Sequence, residues 1–105
     1  MAILSADTNP KLREERKAAE NAKAILGTLT PSSVRTDRTI FVLRHAANLA
    51  RTCSLKRLES RHDLDGEVAT ALNEVCRLLD RGHVPQDATD QATNAVVAWL
   101  EALPS

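Results

Sequence analysis

Aromatic residues are almost absent from this sequence. Of its 105 residues only Phe41 and Trp99 are aromatic, whereas alanine and leucine account for 16 and 14 residues. An alanine side chain buries little area, and large aromatic side chains normally dominate the energetics of cores and interfaces. We therefore expect a thin hydrophobic core. Because self-association is a common remedy for such a core, we also expect a homodimer.

Glycine and proline are scarce as well, with three and four residues, and they lie where helices would end. Alanine and leucine are strong helix formers, while β-branched and aromatic residues mark strands. The composition thus predicts an all-α fold, and the length fits one domain. We expect a four- to five-helix bundle that forms a single domain over residues 1–105, with a flexible N-terminus over residues 1–9.

Long hydrophobic runs are missing too. The longest, Ile40-Phe41-Val42-Leu43, is far shorter than the roughly 20 residues of a membrane span. The start of the chain lacks the basic flank and apolar length of a signal peptide. We therefore expect a cytoplasmic protein that does not contact a membrane. Ten arginines against four lysines, together with many alanines, favour a bacterial or phage origin.

Motifs of enzymatic or metal chemistry are not found. The sequence has no glycine-rich phosphate loop and no Gly-x-Ser-x-Gly turn, and alanine-rich helices leave little room for a catalytic pocket. We expect no enzyme, no cofactor and no metal site, because no ligand pair among the histidines and cysteines has the spacing of a zinc motif. Without Cys-x-x-Cys, Cys53 and Cys76 are expected to be reduced and buried; a disulfide is the less favoured alternative.

Caps and apolar periodicity predict four main helices and a short one. The first begins at Pro10 and is expected to stop at a left-handed Gly27. Its apolar stripe is weak and is interrupted by Glu15, so its N-terminal half is expected to extend from the body or to await a partner. The candidate contacts on this helix are Arg13, Arg16 and Lys17.

The second helix follows residues 30–33, or alternatively begins at Thr36-Asp37, and reaches about Thr52. Its apolar face is wide, and we place Phe41 within it. A short helix, Leu55–Arg61, is expected next, capped by Ser54. The inward residues of the second helix are Ile40, Val42, Leu43, Ala46, Ala47, Leu49, Ala50 and Cys53.

The third and fourth helices have the clearest stripes, over residues 64–79 and 88–103. Gly82 is expected to end the third helix, while Asp87 and Asp90 are expected at capping positions of the fourth. The short connection predicts an antiparallel C-terminal hairpin. Trp99 is expected in the core; the alternative is an interface anchor, with Val97, Trp99 and Leu100 mediating self-association.

Charge is unevenly distributed although the net charge is zero. Residues 35–62 contain seven basic and two acidic residues, whereas residues 63–105 contain two basic and eight acidic residues. A basic block is typical of a nucleic-acid or acidic-protein partner. The simpler interpretation is that the two blocks complement one another, within a monomer or across a dimer.

A helix-turn-helix around residues 46–62 is the sharpest functional alternative. It lacks a glycine in its turn, has a short second helix and is followed by Asp63 and Asp65, so it is not favoured. Single-stranded binding is discounted because Phe41 is placed in the apolar face. The expected function is a small, non-enzymatic regulatory module that binds another protein. The DNA-binding alternative would use Arg44, Arg51, Ser54, Lys56, Arg57 and Arg61.

Overall fold

The computed structural model describes residues 10–52 and 64–103, and these form four α-helices. They are α1 (Pro10–Thr28), α2 (Asp37–Thr52), α3 (Leu64–Asp80) and α4 (Gln86–Ala102). The two described ranges contain no strand, and the predicted all-α bundle is confirmed. The expected N-terminal tail and the short helix with its Ser54 cap lie outside the described residues.

The ends of the helices follow local hydrogen bonding. The second helix uses the alternative start, because the Thr39 N–H donates to Thr36 Oγ1 at 3.1 Å in an N-cap bond. The third helix ends at Asp80 and is followed by the left-handed Gly82, whose φ is 82°. There the N–H groups of Gly82 and His83 donate to the carbonyls of Leu79 and Leu78 at 3.0 and 3.3 Å. This pattern is a Schellman motif, which requires the left-handed conformation that glycine adopts readily.

Two predicted helix ends are wrong. The first helix does not stop at a left-handed Gly27 but continues to Thr28, because this glycine keeps a negative φ and remains helical. The fourth helix has Pro85 at its N-cap, without a side-chain cap bond, and Asp87 lies in its first turn. Asp90 accepts a hydrogen bond from the Gln86 side chain at 3.0 Å instead of capping the helix.

The four helices form a closed ring. Each helix packs against two neighbours, α1 and α3 both contacting α2 and α4. Neighbours run antiparallel: Arg35, just before α2, pairs with Asp80 at the end of α3, and Gly66 early in α3 lines the same groove as Ala98 late in α4. The predicted C-terminal hairpin is therefore confirmed. At one end of the bundle the Val84 N–H donates to the Pro31 carbonyl at 3.2 Å and joins the two loops.

The core is built mainly from small side chains around one large one. Trp99 is fully buried, as the core interpretation expects, and its indole N–H has no hydrogen-bond partner within the described structure. Such an orphaned donor costs about 1–3 kcal/mol. The buried residues of α3 and α4 reproduce the predicted stripes and include Val68, Ala71, Leu72, Val75, Leu79, Ala92, Val96, Trp99 and Leu103.

Packing of α1 corrects the expectation that its N-terminal half stands away from the body. Glu15 is 0% exposed, and Ala18 and Ala19 are buried beside it. Alanine side chains let α1 approach α2 and α4 closely. Glu15 is not without an interaction partner, as the high cost of burying an unpaired carboxylate leads us to expect.

Trp99→Ala is expected to lower the free energy of unfolding by about 3–5 kcal/mol, because it removes the largest buried side chain and leaves a cavity. Urea unfolding followed by far-ultraviolet circular dichroism measures this loss. Val34→Ala, at an apolar residue that is 71% exposed, is the matched control and should change stability by less than about 0.5 kcal/mol. Equal effects of the two substitutions would contradict the described core.

Candidate interaction surface

Phe41 lies on the outside of the bundle, which corrects its placement in the apolar face of α2. Its side chain is 68% exposed, while Ile40 and Leu43 on either side of it are buried. The reason is the helical period. At about 100° per residue, Ile40 and Leu43 share one face, and Phe41 between them must turn away from it. A helical projection of the run Ile40–Leu43 would have shown this from the sequence.

Phe41 and His45, one helical turn apart, form a stacked pair. Their ring centroids are 5.8 Å apart and their planes differ by 4°. His45 Nε2 lies 3.9 Å from Glu14 Oε2 on α1, a contact that becomes an ion pair when the imidazole is protonated. The pair lines an open groove of about 330 Å³ along α2. We call its exposed and half-buried lining the Phe41 face: Arg35, Asp37, Phe41, Arg44, His45 and Asn48.

Arginines give the Phe41 face its positive character. Arg44 is exposed beside Phe41, and Arg38 is exposed on the adjacent turn. Arg35 is held in place by two carboxylates, since its Nε lies 2.7 Å from Asp80 Oδ1 and its Nη1 lies 3.3 Å from Asp37 Oδ1. The face therefore combines an aromatic pair, exposed at Phe41, with the exposed Arg44 and with Arg35, which is paired to carboxylates.

The charge blocks of the sequence become two sides of the bundle. Residues 10–52, which form α1 and α2, contain nine basic and four acidic residues. Residues 64–103, which form α3 and α4, contain two basic and seven acidic residues. The Arg35–Asp80 ion pair joins the two sides. The exposed acidic residues of the second side include Glu67, Asp87, Asp90 and Glu101.

A second concavity runs between α3 and α4. This α3–α4 groove has a volume of about 510 Å³ and is open to solvent. Half of its lining residues are glycine or alanine, and the other half are polar. Its lining consists of Gly66, Glu67, Thr70, Ala71, Gln91, Asn94, Ala95 and Ala98.

The residues predicted for DNA binding are only partly placed. Arg44 and Arg51 are both exposed on α2, at positions that a phosphate backbone could reach. The second helix of the proposed motif lies outside the described residues, so the alternative stays a prediction for Ser54, Lys56, Arg57 and Arg61.

The residues predicted for protein contacts are placed on two helices. On α1, Arg13 and Lys17 are exposed and Arg16 is half-buried. On α4, Val97 and Leu100 are half-buried, while Trp99 is fully buried and presents no surface to a partner. Of the three residues predicted for an interface on α4, only Val97 and Leu100 therefore remain candidates.

Cys76 lies buried on α3 beneath Arg44. Burial raises the pKa of its thiol, an effect that the nearby Arg44 guanidinium partly offsets. Cys53, its partner in the disfavoured disulfide, lies outside the described residues. Within residues 10–52 and 64–103, no cluster of three or more histidine, cysteine and acidic side chains could hold a metal ion.

None of the four described helices combines the length and hydrophobicity that a bilayer crossing requires. Comparison of the chain with protein-family models, curated proteins and solved structures gives no match.

Cys76 is expected to resist alkylation by iodoacetamide at neutral pH in the folded protein. Its side chain is inaccessible, and its raised pKa leaves less of the reactive thiolate at any given pH. Peptide mass spectrometry with and without urea measures the difference, and unfolding should restore ordinary thiol reactivity. Rapid labelling of Cys76 without urea would show that the α2–α3 interface opens readily.

Proposed function

We propose that this chain is a non-enzymatic helical module of the cytoplasm that acts by binding another protein, with the Phe41 face as its binding surface. One observation carries the proposal: Phe41 is 68% exposed and stacked on His45. It is one of only two aromatic residues in the chain, and its exposed ring gains nothing from the core.

The composition of the Phe41 face supports a protein partner. Aromatic residues and arginine are enriched in the residues that supply most of the energy at protein interfaces. Here an exposed phenylalanine lies beside Arg44, with Arg38 one turn away. Val34, the other large exposed hydrophobic residue of the described structure, lies in the loop before α2. A partner that covers Phe41 would remove apolar surface from water and meet a basic rim.

Self-association is a separate proposal, which binding of another protein does not require. The core contains many alanines and a single aromatic residue, so further burial between copies would add stability that the monomer lacks. Half-buried apolar residues on α4, Val97 and Leu100 among them, leave part of their surface available for such burial.

Phe41→Ser is expected to reduce partner binding by about 30-fold or more, the loss typical of an interface hot spot. Tagged wild-type and variant chains are used to capture proteins from the native host, with quantitative mass spectrometry as the readout. Val34→Ser, which removes a comparably exposed apolar side chain outside the Phe41 face, should capture as the wild type does.

The proposal fails if Phe41→Ser and Val34→Ser retain the same partners in the same amounts. Circular dichroism should show equal helix content in all three proteins, so that loss of binding is not confused with loss of fold.

Nucleic-acid binding is a second candidate function, and one observation favours it. The exposure of Phe41 removes the objection that the basic segment offers no aromatic surface for base stacking. Arg44 and Arg51 on the same helix are also exposed.

If the primary proposal is right, neither random duplex nor oligo-dT should bind at low salt in mobility-shift and anisotropy assays. Binding that weakens steeply with added salt, and that Lys56→Glu with Arg57→Glu abolishes, would establish the second candidate instead. Wild-type helix content in that double variant is the control.

A further inference from the structure

We propose that the Phe41 face of one copy docks into the α3–α4 groove of a second copy. This inference rests on the proposed function, because it identifies a second copy of the chain as a partner of that face. The contact joins two different surfaces and is therefore head-to-tail.

Charge complementarity favours this occupant. The side of the bundle that presents Phe41 has five more basic than acidic residues over residues 10–52, and the side that contains the groove has five more acidic than basic over residues 64–103. Glu67 lines the groove itself, where it would meet the exposed Arg44 beside Phe41. Opposite potentials of this kind select the partner surface and set its register.

Shape is compatible with the same occupant. The groove holds about 510 Å³, and its apolar lining is short, formed by Ala71, Ala95 and Ala98 beside polar side chains such as Glu67 and Gln91. A phenylalanine ring that projects from α2 can therefore enter between α3 and α4. A contact between two α3–α4 grooves would bring acidic sides together, and a contact between two Phe41 faces would bring basic sides together. Both contacts are disfavoured by repulsion between like charges.

The positions of the two surfaces decide the symmetry of the contact. The Phe41 face lies on α2, which packs between α1 and α3, whereas the groove borders α4 on the opposite corner of the ring. One contact therefore leaves an unused groove on one copy and an unused Phe41 face on the other. Such heterologous contacts build a ring where the rotation between successive copies closes and an open chain where it does not, so we expect the assembly to grow with concentration.

Two single variants separate the two surfaces. Phe41→Ser keeps the groove but lacks the aromatic ring. Asn94→Arg, at an exposed position lining the groove, keeps Phe41 but fills the groove and repels the arginines of a second copy. Asn73→Arg, exposed on α3 and not part of the groove lining, is the matched control for added charge.

Sedimentation equilibrium measures the association. The average mass of the wild type and of Asn73→Arg should rise steadily with concentration, while Phe41→Ser and Asn94→Arg should each stay monomeric. An equimolar mixture of the two monomeric variants should form a 1:1 dimer and nothing larger, because it restores a single contact. Association in this mixture should weaken with added salt.

Several results would overturn the inference: a monomeric wild type at all concentrations, a mixture that remains monomeric, or association that survives Phe41→Ser. Association that nuclease treatment removes would show a nucleic acid between the copies and would also overturn it. If the wild type is monomeric but Phe41→Ser still loses its captured host protein, the inference fails and the proposed function stands. If self-association behaves as expected but Phe41→Ser captures the same host proteins as the wild type, the Phe41 face binds a second copy and not another protein. The inference then stands and the proposed function fails.

Discussion

Closure of the helical ring by α1 is the constraint on which the rest of the structure depends. The surfaces of α2 and α4 that α1 covers would otherwise face water, and Ala19 and Ala22 let it approach closely because they add almost no bulk. Close approach compensates for the small area that each alanine buries, since dispersion contacts increase with packing density. The enclosed Glu15 has an interaction partner, which limits the cost of burying its side chain.

The sequence predicted the parts of the fold that follow from periodicity. Val68, Leu72 and Val75 recur at helical spacing, and they are buried on one face of α3 as expected. Prediction failed where a single residue departs from its class. Glu15 interrupts the apolar stripe of α1 and yet is buried, although carboxylates seldom are, and Phe41, which we expect within the apolar face of α2, is exposed. A residue's depth depends on its angle around the helix and on what packs opposite, and composition contains neither.

The candidate interaction surface, too, is only partly predictable from the sequence. That residues 35–62 are basic and residues 63–105 acidic is plain from the sequence, and within the described ranges 10–52 and 64–103 the two sides of the bundle have opposite net charge. Sequence alone could not show that Arg35 is committed to Asp80 and Asp37, or that Arg44 stays exposed beside a stacked Phe41 and His45. The α3–α4 groove is equally hidden in the sequence, because its small and polar lining residues follow no motif. Its shape arises only when two helices are placed side by side.

The opposite charges of the α1–α2 and α3–α4 hairpins also bear on how the chain folds. Helical hairpins form from local contacts and arise early, whereas joining them requires contacts that are distant in sequence. The Val84–Pro31 hydrogen bond and the Arg35–Asp80 ion pair are such contacts, and they tie the two hairpins at one end. Electrostatic attraction accelerates the encounter of oppositely charged bodies and is screened by salt. Such attraction favours the joining of the two hairpins, and we expect the folding rate to be greatest in dilute buffer.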